Sequence, residues 1–282
     1  SGTDMAPATV QRYETSLKHT RDFVWETYHK KDVLLDEVSR QFIEDYEFWL
    51  KTEKKCCHNT ATKYLKNFKK IIRIALAKGW MKNDPFLEIR FSLDKVEPDF
   101  LEDSEIQKLI SKEIDIPRLS QVRDIFVFCC FTGLAFSDIH GLRKEHIVED
   151  SNGVRWIRKG RQKTKIMCNI PLMEIPLKIL EKYSTNEYCK KHGVLFPVLC
   201  NQKMNAYLKE LADICGIKKT LTTHVGRHTF ATFALANGVS IESVAKMLGH
   251  TNVQMTRHYA RVLDRTVIRE MSQIKMDFHI SI

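Results

Sequence analysis

The sequence has little that points to membranes, export or bound metals. It has no uninterrupted apolar run of about 18 residues and no signal-peptide pattern, so neither a membrane-spanning helix nor an exported chain is predicted. Its eight cysteines include no Cys-x-x-Cys motif, and Cys189-x-x-His192 is not completed by a second pair of metal ligands. Adjacent cysteines cannot easily form a disulfide with each other. We therefore expect a reduced, cytoplasmic protein without a metal site.

Glycine and proline are scarce between Ala8 and Ala77, where apolar residues recur at three- and four-residue spacing. That period predicts helices. We expect a small all-helical domain over residues 6–92, with the turn signal Asn83-Asp84-Pro85 close to its end. Residues 93–99 lack periodicity and predict a linker, and residues 100–282 are expected to form a second domain.

The second domain is predicted to be mainly helical with one β insert. Residues 154–158 and 165–170, on either side of a Lys-Gly-Arg-Gln turn, predict a hairpin that ends at Pro171. The tail after Tyr259 is predicted to be an amphipathic helix. Its apolar positions are Val262, Leu263, Val267, Ile268, Met271 and Ile274. The predicted fold class is mainly α with a small β-hairpin or sheet insert: a helical domain followed by a mixed α/β domain.

Basic residues outnumber acidic ones, with 45 Lys and Arg against 35 Asp and Glu. Between Lys51 and Lys82 there are ten basic residues and a single acidic one, Glu53. On the helix predicted there, one face opposite the apolar face carries four cations: Lys63, Lys66, Lys70 and Arg73. A ridge of one sign favours phosphate binding over an ordinary solvated face, on which the signs alternate.

A second basic cluster lies on the predicted hairpin and includes Arg161, Lys163 and Lys165. Basic surfaces on two domains joined by a linker predict a clamp around double-stranded DNA. Charge alone does not separate such a clamp from a simple DNA-binding protein.

Four residues near the C-terminus have the side chains that phosphoryl transfer needs: His224, Arg227, His250 and Tyr259. His224 and Arg227 are three residues apart, so on a helix they share one face. A guanidinium clamps a phosphate bidentately, an imidazole moves a proton and a phenolate attacks. Because this chemistry requires no metal ion, no cofactor is expected.

These residues and spacings resemble the tyrosine recombinase (phage integrase) family. The family's C-terminal boxes are matched by His224-x-x-Arg227, Leu248-Gly249-His250 and Tyr259. Its first box is similar to Thr132-Gly133-Leu134 with Ser137-Asp138. The resemblance covers nearly the whole chain and implies a helical core-binding domain plus a catalytic domain, in a C-shaped clamp on DNA. It further implies a bacterial, nucleoid-associated homo-tetramer assembled on recombination sites, with accessory DNA-bending proteins as further partners.

The resemblance also implies a role for each residue. Tyr259 would attack the scissile phosphate, giving a 3′-phosphotyrosyl link and a free 5′-hydroxyl, so that religation needs no ATP. Lys163, on a segment that resembles the family's lysine loop, would protonate the leaving 5′-oxygen. Arg227 would stabilise charge on the non-bridging oxygens. His224 would aid proton transfer from the tyrosine, and His250 would hydrogen-bond the phosphate.

The catalytic set has two open positions. Lys165 lies on the same hairpin as Lys163, and the strand register decides which one points inward; we favour Lys163. The family usually has an arginine after its Thr-Gly-Leu box, where this sequence has Ala135. Arg123 and Arg143 are the candidate replacements, and we prefer Arg123 because it lies on the apolar helix that leads into the box.

Ala135 also bears on the kind of recombinase, because integrases of Bacteroidetes mobile elements often lack the same arginine. The sequence is therefore interpreted as an integrase that integrates or excises a mobile element. A DNA invertase of the same family and a catalytically impaired DNA-binding regulator are the alternatives. A zinc hydrolase is a rival on the spacing of His224 and His228, but the residues between them lack the glutamate base of His-Glu-x-x-His enzymes.

Overall fold

The structure is a computed structural model that describes residues 5–259 and 271–272. Contacts within the chain define two compact units, with the boundary between Val96 and Glu97. Apart from Met271, the apolar positions of the predicted tail helix lie outside the described residues. In the described part of the chain, no helix has both the length and the apolar character needed to cross a bilayer.

The first unit consists of helices packed around an aromatic core, as the spacing predicted. Its helices are α1 (Pro7–Tyr28), α2 (Arg40–Thr52) and α3 (His58–Ala77). Ser39 caps α2 by accepting a hydrogen bond from the Phe42 amide at 3.3 Å. Phe23 and Tyr46 are fully buried, with ring centroids 4.9 Å apart. This core leaves the lysine-rich side of α3 outside.

The beginning of the segment predicted as a linker is bound to the N-terminus of α3. The side-chain amide of Asn59 donates to the Asp94 carbonyl at 2.9 Å and accepts from the Asp94 amide at 2.8 Å. His58 Nε2 lies 3.1 Å from the Ser92 carbonyl oxygen. Residues 92–94 are therefore fixed on the first unit.

The second unit is mixed α/β. Its helices before the sheet are α4 (Asp103–Ser111), α5 (Pro117–Thr132) and α6 (Phe136–His140). Its strands are β1 (Ile147–Glu149), β2 (Arg155–Gly160) and β3 (Met167–Pro171). The helices after the sheet are α7 (Glu174–Tyr183), α8 (Glu187–His192), α9 (Asn201–Ile214), α10 (Thr223–Ala236), α11 (Ile241–Leu248) and α12 (Gln254–Arg257).

The sheet confirms the predicted hairpin and extends it. Strands β2 and β3 are antiparallel, and Ile157 pairs with Ile170. Strand β1 pairs with β2 on the other edge, which the sequence did not predict. A strand of three residues is too short to show a period of two. The predicted fold class, mainly helical with a small sheet, is confirmed.

Helices α5 and α10 pack closely at the centre of the second unit, and Gly226 is the reason. A Cβ at Gly226 would lie 3.2 Å from both Cys129 Cβ and Phe126 Cε2. The missing side chain therefore allows the backbone of α10 to approach α5. This contact places Arg227, the next residue, beside the C-terminal end of α5.

Gly133 at the end of α5 is expected to tolerate no side chain. Its φ is +67°, and a Cβ there would lie 2.4 Å from Phe230 Cδ1 and 2.8 Å from Leu248 Cδ2. Gly133→Ala should lower the free energy of unfolding by about 1–2 kcal/mol of backbone strain plus about 1–3 kcal/mol of overpacking. The matched control is Gly193→Ala, with φ +63° and no atom within 4 Å of its Cβ position. Urea unfolding that shows equal losses for both variants would contradict this account.

Candidate active site

Arg227 is the buried centre of the predicted catalytic group. Its side chain is 2% exposed. One terminal nitrogen donates to the Gly133 carbonyl at 2.7 Å, and the other donates to the Leu248 carbonyl at 2.6 Å. These carbonyls belong to the ends of α5 and α11, where left-handed Gly133 and Gly249 stop the helices. Arg227 therefore holds two helix ends together and satisfies their carbonyl groups.

His250 accepts a hydrogen bond from Arg227. The second terminal nitrogen of Arg227 lies 3.1 Å from His250 Nε2. Arginine has only donors, so Nε2 accepts and the proton of the neutral ring is on Nδ1. Nδ1 lies 2.8 Å from Thr256 Oγ1 and donates to it, so both ring nitrogens of His250 are hydrogen-bonded and the ring orientation is fixed. Burial, followed by the charges of Arg227 and Arg161, lowers the pKa of His250 to about 4. His250 is thus neutral at neutral pH.

The depressed pKa of His250 predicts a loss of stability in acid. Between pH 6.5 and about 4 the unfolded chain binds a proton that folded His250 does not bind, so stability falls as the pH falls through that window. His250→Gln keeps a carbonyl that accepts from Arg227 and removes the titration. The difference in unfolding free energy between pH 7 and pH 5 should be smaller in the variant by roughly 1–2 kcal/mol. Equal pH dependence in urea titrations would contradict the assignment.

Tyr259 and three imidazoles form a continuous group of rings. The Tyr259 ring is 8% exposed and packs with Phe230 and Leu248. Its centroid lies 5.0 Å from that of His228 and 6.1 Å from that of His250. The His224 and His228 centroids are 4.3 Å apart. The structure therefore brings together His224, Arg227, His250 and Tyr259, the four residues that the sequence predicted as a catalytic group.

His224 is exposed in the first turn of α10, where its ring packs on that of His228. Desolvation by neighbouring protein atoms, followed by the charges of Arg227, Arg161 and Lys163, lowers the pKa of His224. Its neutral form is therefore favoured at neutral pH. Because the charge of Lys163 contributes to lowering the pKa of His224, the turn between β2 and β3 must bring Lys163 near this group. Lys163 and Lys165 are both exposed, and Lys165 has a left-handed backbone with φ +60°. The charge of Lys163, and not that of Lys165, is among the causes that lower the pKa of His224.

Arg123, predicted to replace the arginine missing at Ala135, is not brought to this group. It lies on α5 ten residues before Gly133, about 15 Å along the helix axis. Its guanidinium donates to the Lys112 carbonyl at 2.7 Å and to Asp124 Oδ1 at 3.1 and 3.2 Å. Neither Arg123 nor the other candidate, Arg143, is among the charges that shift the pKa of His224, Arg227 or His250. In the structure Arg123 belongs to a network around Asp124.

Arg161, predicted to bind DNA on the hairpin, lies beside the predicted catalytic group. Its side chain is 11% exposed, and its Nε lies 3.5 Å from Asp138 Oδ2. Its charge contributes to lowering the pKa of His224, Arg227 and His250. The sequence signal that could have identified it is its place two residues before Lys163, on the segment that resembles the lysine loop.

The predicted DNA-binding residues of the first unit differ in exposure. Lys63, Lys70 and Arg73 are exposed on α3. Lys66 is half-buried, with its amino nitrogen 5.8 Å from the centroid of the Phe91 ring. Lys70 Nζ donates to the Tyr13 hydroxyl at 3.2 Å. The exposed cations leave a positively charged strip along the outer side of α3.

The described residues contain no group of three or more His, Cys, Asp and Glu side chains that could hold a metal ion. The spacing of His224 and His228 that suggested a zinc site instead places the two rings edge to face. Asp138, an acidic residue whose charge acts on Arg227, is paired with Arg161. The arrangement is suited to binding an anion.

Comparison with known proteins agrees with this geometry. Tyrosine recombinase from Pseudothermotoga lettingae is 29% identical over 265 residues, which cover 91% of this chain and 88% of that protein. Tyrosine recombinase XerD from Oceanobacillus iheyensis is 26% identical, with 90% and 87% covered. In fold, the chain is similar to a lambda integrase dimer bound to a COC′ core site, with a TM-score of 0.74, 17% identity, and 99% and 95% covered. It is also similar to the Tn1549 transposon integrase in complex with circular intermediate DNA, with a TM-score of 0.71, 17% identity, and 95% and 94% covered.

Two family matches account for most of the sequence. Residues 1–96 match the phage integrase SAM-like domain, and residues 99–266 match the phage integrase family. The second match contains the whole group built around Arg227. The chain therefore belongs to the phage integrase family of tyrosine recombinases.

Proposed function

We propose that this protein is a site-specific DNA recombinase that cleaves and rejoins DNA strands through a 3′-phosphotyrosyl intermediate at Tyr259. The observation that carries the proposal is the assembly of Tyr259 and His250 around buried Arg227. A buried cation next to a phenol and neutral imidazoles provides a nucleophile, a base and an anion site in one place. The names of the relatives, which are tyrosine recombinases, support the same activity.

The proposed reaction assigns one role to each side chain. The Tyr259 oxygen forms a bond to phosphorus, and the bond between phosphorus and the 5′-oxygen breaks. His224 accepts the phenol proton, and Lys163 supplies a proton to the leaving 5′-oxygen. Arg227 stabilises the charge on the non-bridging oxygens. Rejoining is the reverse reaction with a new 5′-hydroxyl, and it needs neither ATP nor a metal because the phosphotyrosyl ester retains the energy of the broken bond.

The DNA contacts are proposed on both units. On α3, the exposed cations Lys63, Lys70 and Arg73, together with Lys66, would contact backbone phosphates. In the second unit, Lys165 on the hairpin turn would do the same. These contacts position the duplex and carry no direct sequence information.

The biological role that we propose is integration and excision of a mobile element, like the conjugative elements of Bacteroidetes. The solved structures similar in fold include the integrase of a transposon with its circular intermediate DNA, and Ala135 departs from the usual first box. The lambda integrase structure contains a dimer on a core site. We propose that this chain forms a homo-tetramer on paired sites in the bacterial cytoplasm, on nucleoid DNA, with accessory DNA-bending proteins.

Two alternatives make different predictions. A DNA invertase would use the same chemistry on inverted sites of one molecule. A regulator that binds DNA without cleaving it is motivated by Ala135, because alanine binds no phosphate. Covalent attachment to DNA separates this second alternative from a recombinase.

The test begins with duplexes that the protein selects from a randomised library, since its recombination site is unknown. Selected duplexes with single nicks at successive positions release a short product, so that cleavage cannot be reversed. A covalent protein–DNA adduct that resists SDS, formed in the presence of EDTA and without ATP, is the expected result. Adduct-free cleavage, or binding without an adduct at every nick position, would contradict the proposed function.

A further inference from the structure

We propose that Arg161, held by Asp138, is the second phosphate-binding arginine of this active site and supplies the positive charge that Ala135 lacks. The inference rests on the proposed recombinase function and names a residue that completes the site. Three observations carry it: the place of Arg161 in the fold, the state of its hydrogen-bond donors and its electrostatic neighbours.

The fold brings Arg161 to the first box through the acidic residue of that box. Asp138 lies three residues after Ala135, in the first turn of α6, and is 1% exposed. Its Oδ1 accepts from the Gln162 amide at 2.9 Å, and its Oδ2 lies 3.5 Å from Arg161 Nε. The Asp138 carboxylate thus holds both the backbone of the hairpin turn and the side chain of Arg161. Asp138 is in the helix that begins directly after Ala135, where the family usually has its arginine.

Gly249 leaves the space that the stem of Arg161 occupies. A Cβ at Gly249 would lie 2.7 Å from Arg161 Cδ and 2.8 Å from Cys168 Sγ. The residue before His250 therefore has to be small for Arg161 to pass across it. The guanidinium is close enough to His250 and Arg227 that its charge contributes to lowering the pKa values of both.

The donors of Arg161 are available, whereas those of Arg123 are not. The buried Nε of Arg161 is ion-paired with Asp138 at 3.5 Å without a hydrogen bond. Within residues 5–259 and 271–272, no residue accepts a hydrogen bond from its two terminal nitrogens. By contrast, all three side-chain nitrogens of Arg123 donate to neighbouring oxygens. Because Asp138 is paired with Nε, the two terminal nitrogens of Arg161 can bind a phosphate oxygen without first breaking an internal hydrogen bond.

Two guanidiniums in one buried site also favour an anion between them. After burial, the charge of Arg161 is the largest cause of the lowered pKa of Arg227. Such mutual repulsion is relieved when a phosphodiester binds, and more so as negative charge accumulates on its oxygens in the transition state. Asp138 offsets part of the repulsion in the free protein.

Removing the charge from the substrate provides the test. In a methylphosphonate, a methyl group replaces one non-bridging oxygen of the scissile phosphate and removes its negative charge. The site then needs one cation fewer to stabilise the transition state. On the ordinary phosphodiester, Arg161→Ala should form the adduct about 100- to 1000-fold more slowly than the unmodified protein. On the methylphosphonate, most of that loss should disappear. Arg123→Ala, the matched control, should form the adduct on the phosphodiester at nearly the unmodified rate.

The rate ratio between the two substrates is measured with one protein preparation, so it does not depend on how much of a variant is folded. Asp138→Asn should show a smaller loss and the same recovery on the methylphosphonate, because it misplaces the same cation. An Arg161→Ala rate equal to that of the unmodified protein, or an equal loss on both substrates, would overturn the role of Arg161. An unmodified protein that forms no adduct on either substrate would overturn the proposed function itself.

Discussion

Tyr259→Phe should reduce formation of the covalent adduct by on the order of 10⁴-fold or more, because it removes the nucleophile and nothing else. The substituted ring retains the packing of Tyr259 against Phe230 and Leu248. Stability and DNA affinity should therefore be close to those of the unmodified protein. Single-turnover adduct formation, together with a binding titration at fixed salt concentration, measures both quantities.

A second tyrosine provides the control for this variant. Tyr188 on α8 is 51% exposed and stacks on His192, with 4.1 Å between the ring centroids. Tyr188→Phe removes a hydroxyl of the same kind away from the catalytic group, and the adduct should form at the unmodified rate. A Tyr259→Phe protein that still forms the adduct would show that another residue attacks the phosphate.

Arg227→Ala should combine a large loss of cleavage with a large loss of stability. Without the guanidinium, the carbonyls of Gly133 and Leu248 lose buried donors. We expect the free energy of unfolding to fall by about 2–4 kcal/mol for two buried unsatisfied groups. We expect the adduct rate to fall by about 1000-fold or more, because the cation at the non-bridging oxygens is lost.

Arg227→Lys separates these two effects. Lysine keeps the charge, but its single nitrogen cannot reach both carbonyls in the fork geometry of a guanidinium. The lysine variant should therefore regain less stability than activity, relative to alanine. Arg73→Ala on the exposed side of α3 should change only DNA affinity and its salt dependence. An Arg227→Ala protein with the stability in urea and the single-turnover rate of the unmodified protein would contradict both roles of Arg227.

Most of the proposed catalytic group could be identified because its members are close in sequence. His224 and Arg227 share one face of α10, Gly249 ends α11 just before His250, and Tyr259 follows the short helix α12. The period of the apolar residues similarly predicted α1 to α3, and the two segments on either side of the Lys-Gly-Arg-Gln turn predicted β2 and β3. In each case local spacing contains the information.

The cation that we propose in place of the missing arginine could not be predicted in the same way. The sequence favoured Arg123 because it lies on the helix that leads into the first box. However, Asp124 and the Lys112 carbonyl bind its guanidinium in the first half of that helix, ten residues before Gly133. Arg161 reaches the site only because β2 and β3 fold the hairpin turn against Asp138. That contact joins residues 23 positions apart, and no periodicity reports it.

The most direct test of the account is identification of the atom that holds the DNA. Nuclease and trypsin digestion of the adduct should leave a nucleotide on the peptide of residues 258–261, which contains a single tyrosine. Fragmentation in the mass spectrometer should assign the nucleotide to Tyr259 rather than to His258, through a 3′-phosphate, and the released strand should have a free 5′-hydroxyl. A nucleotide on any other residue, or a 5′-phosphate in the link, would contradict the account.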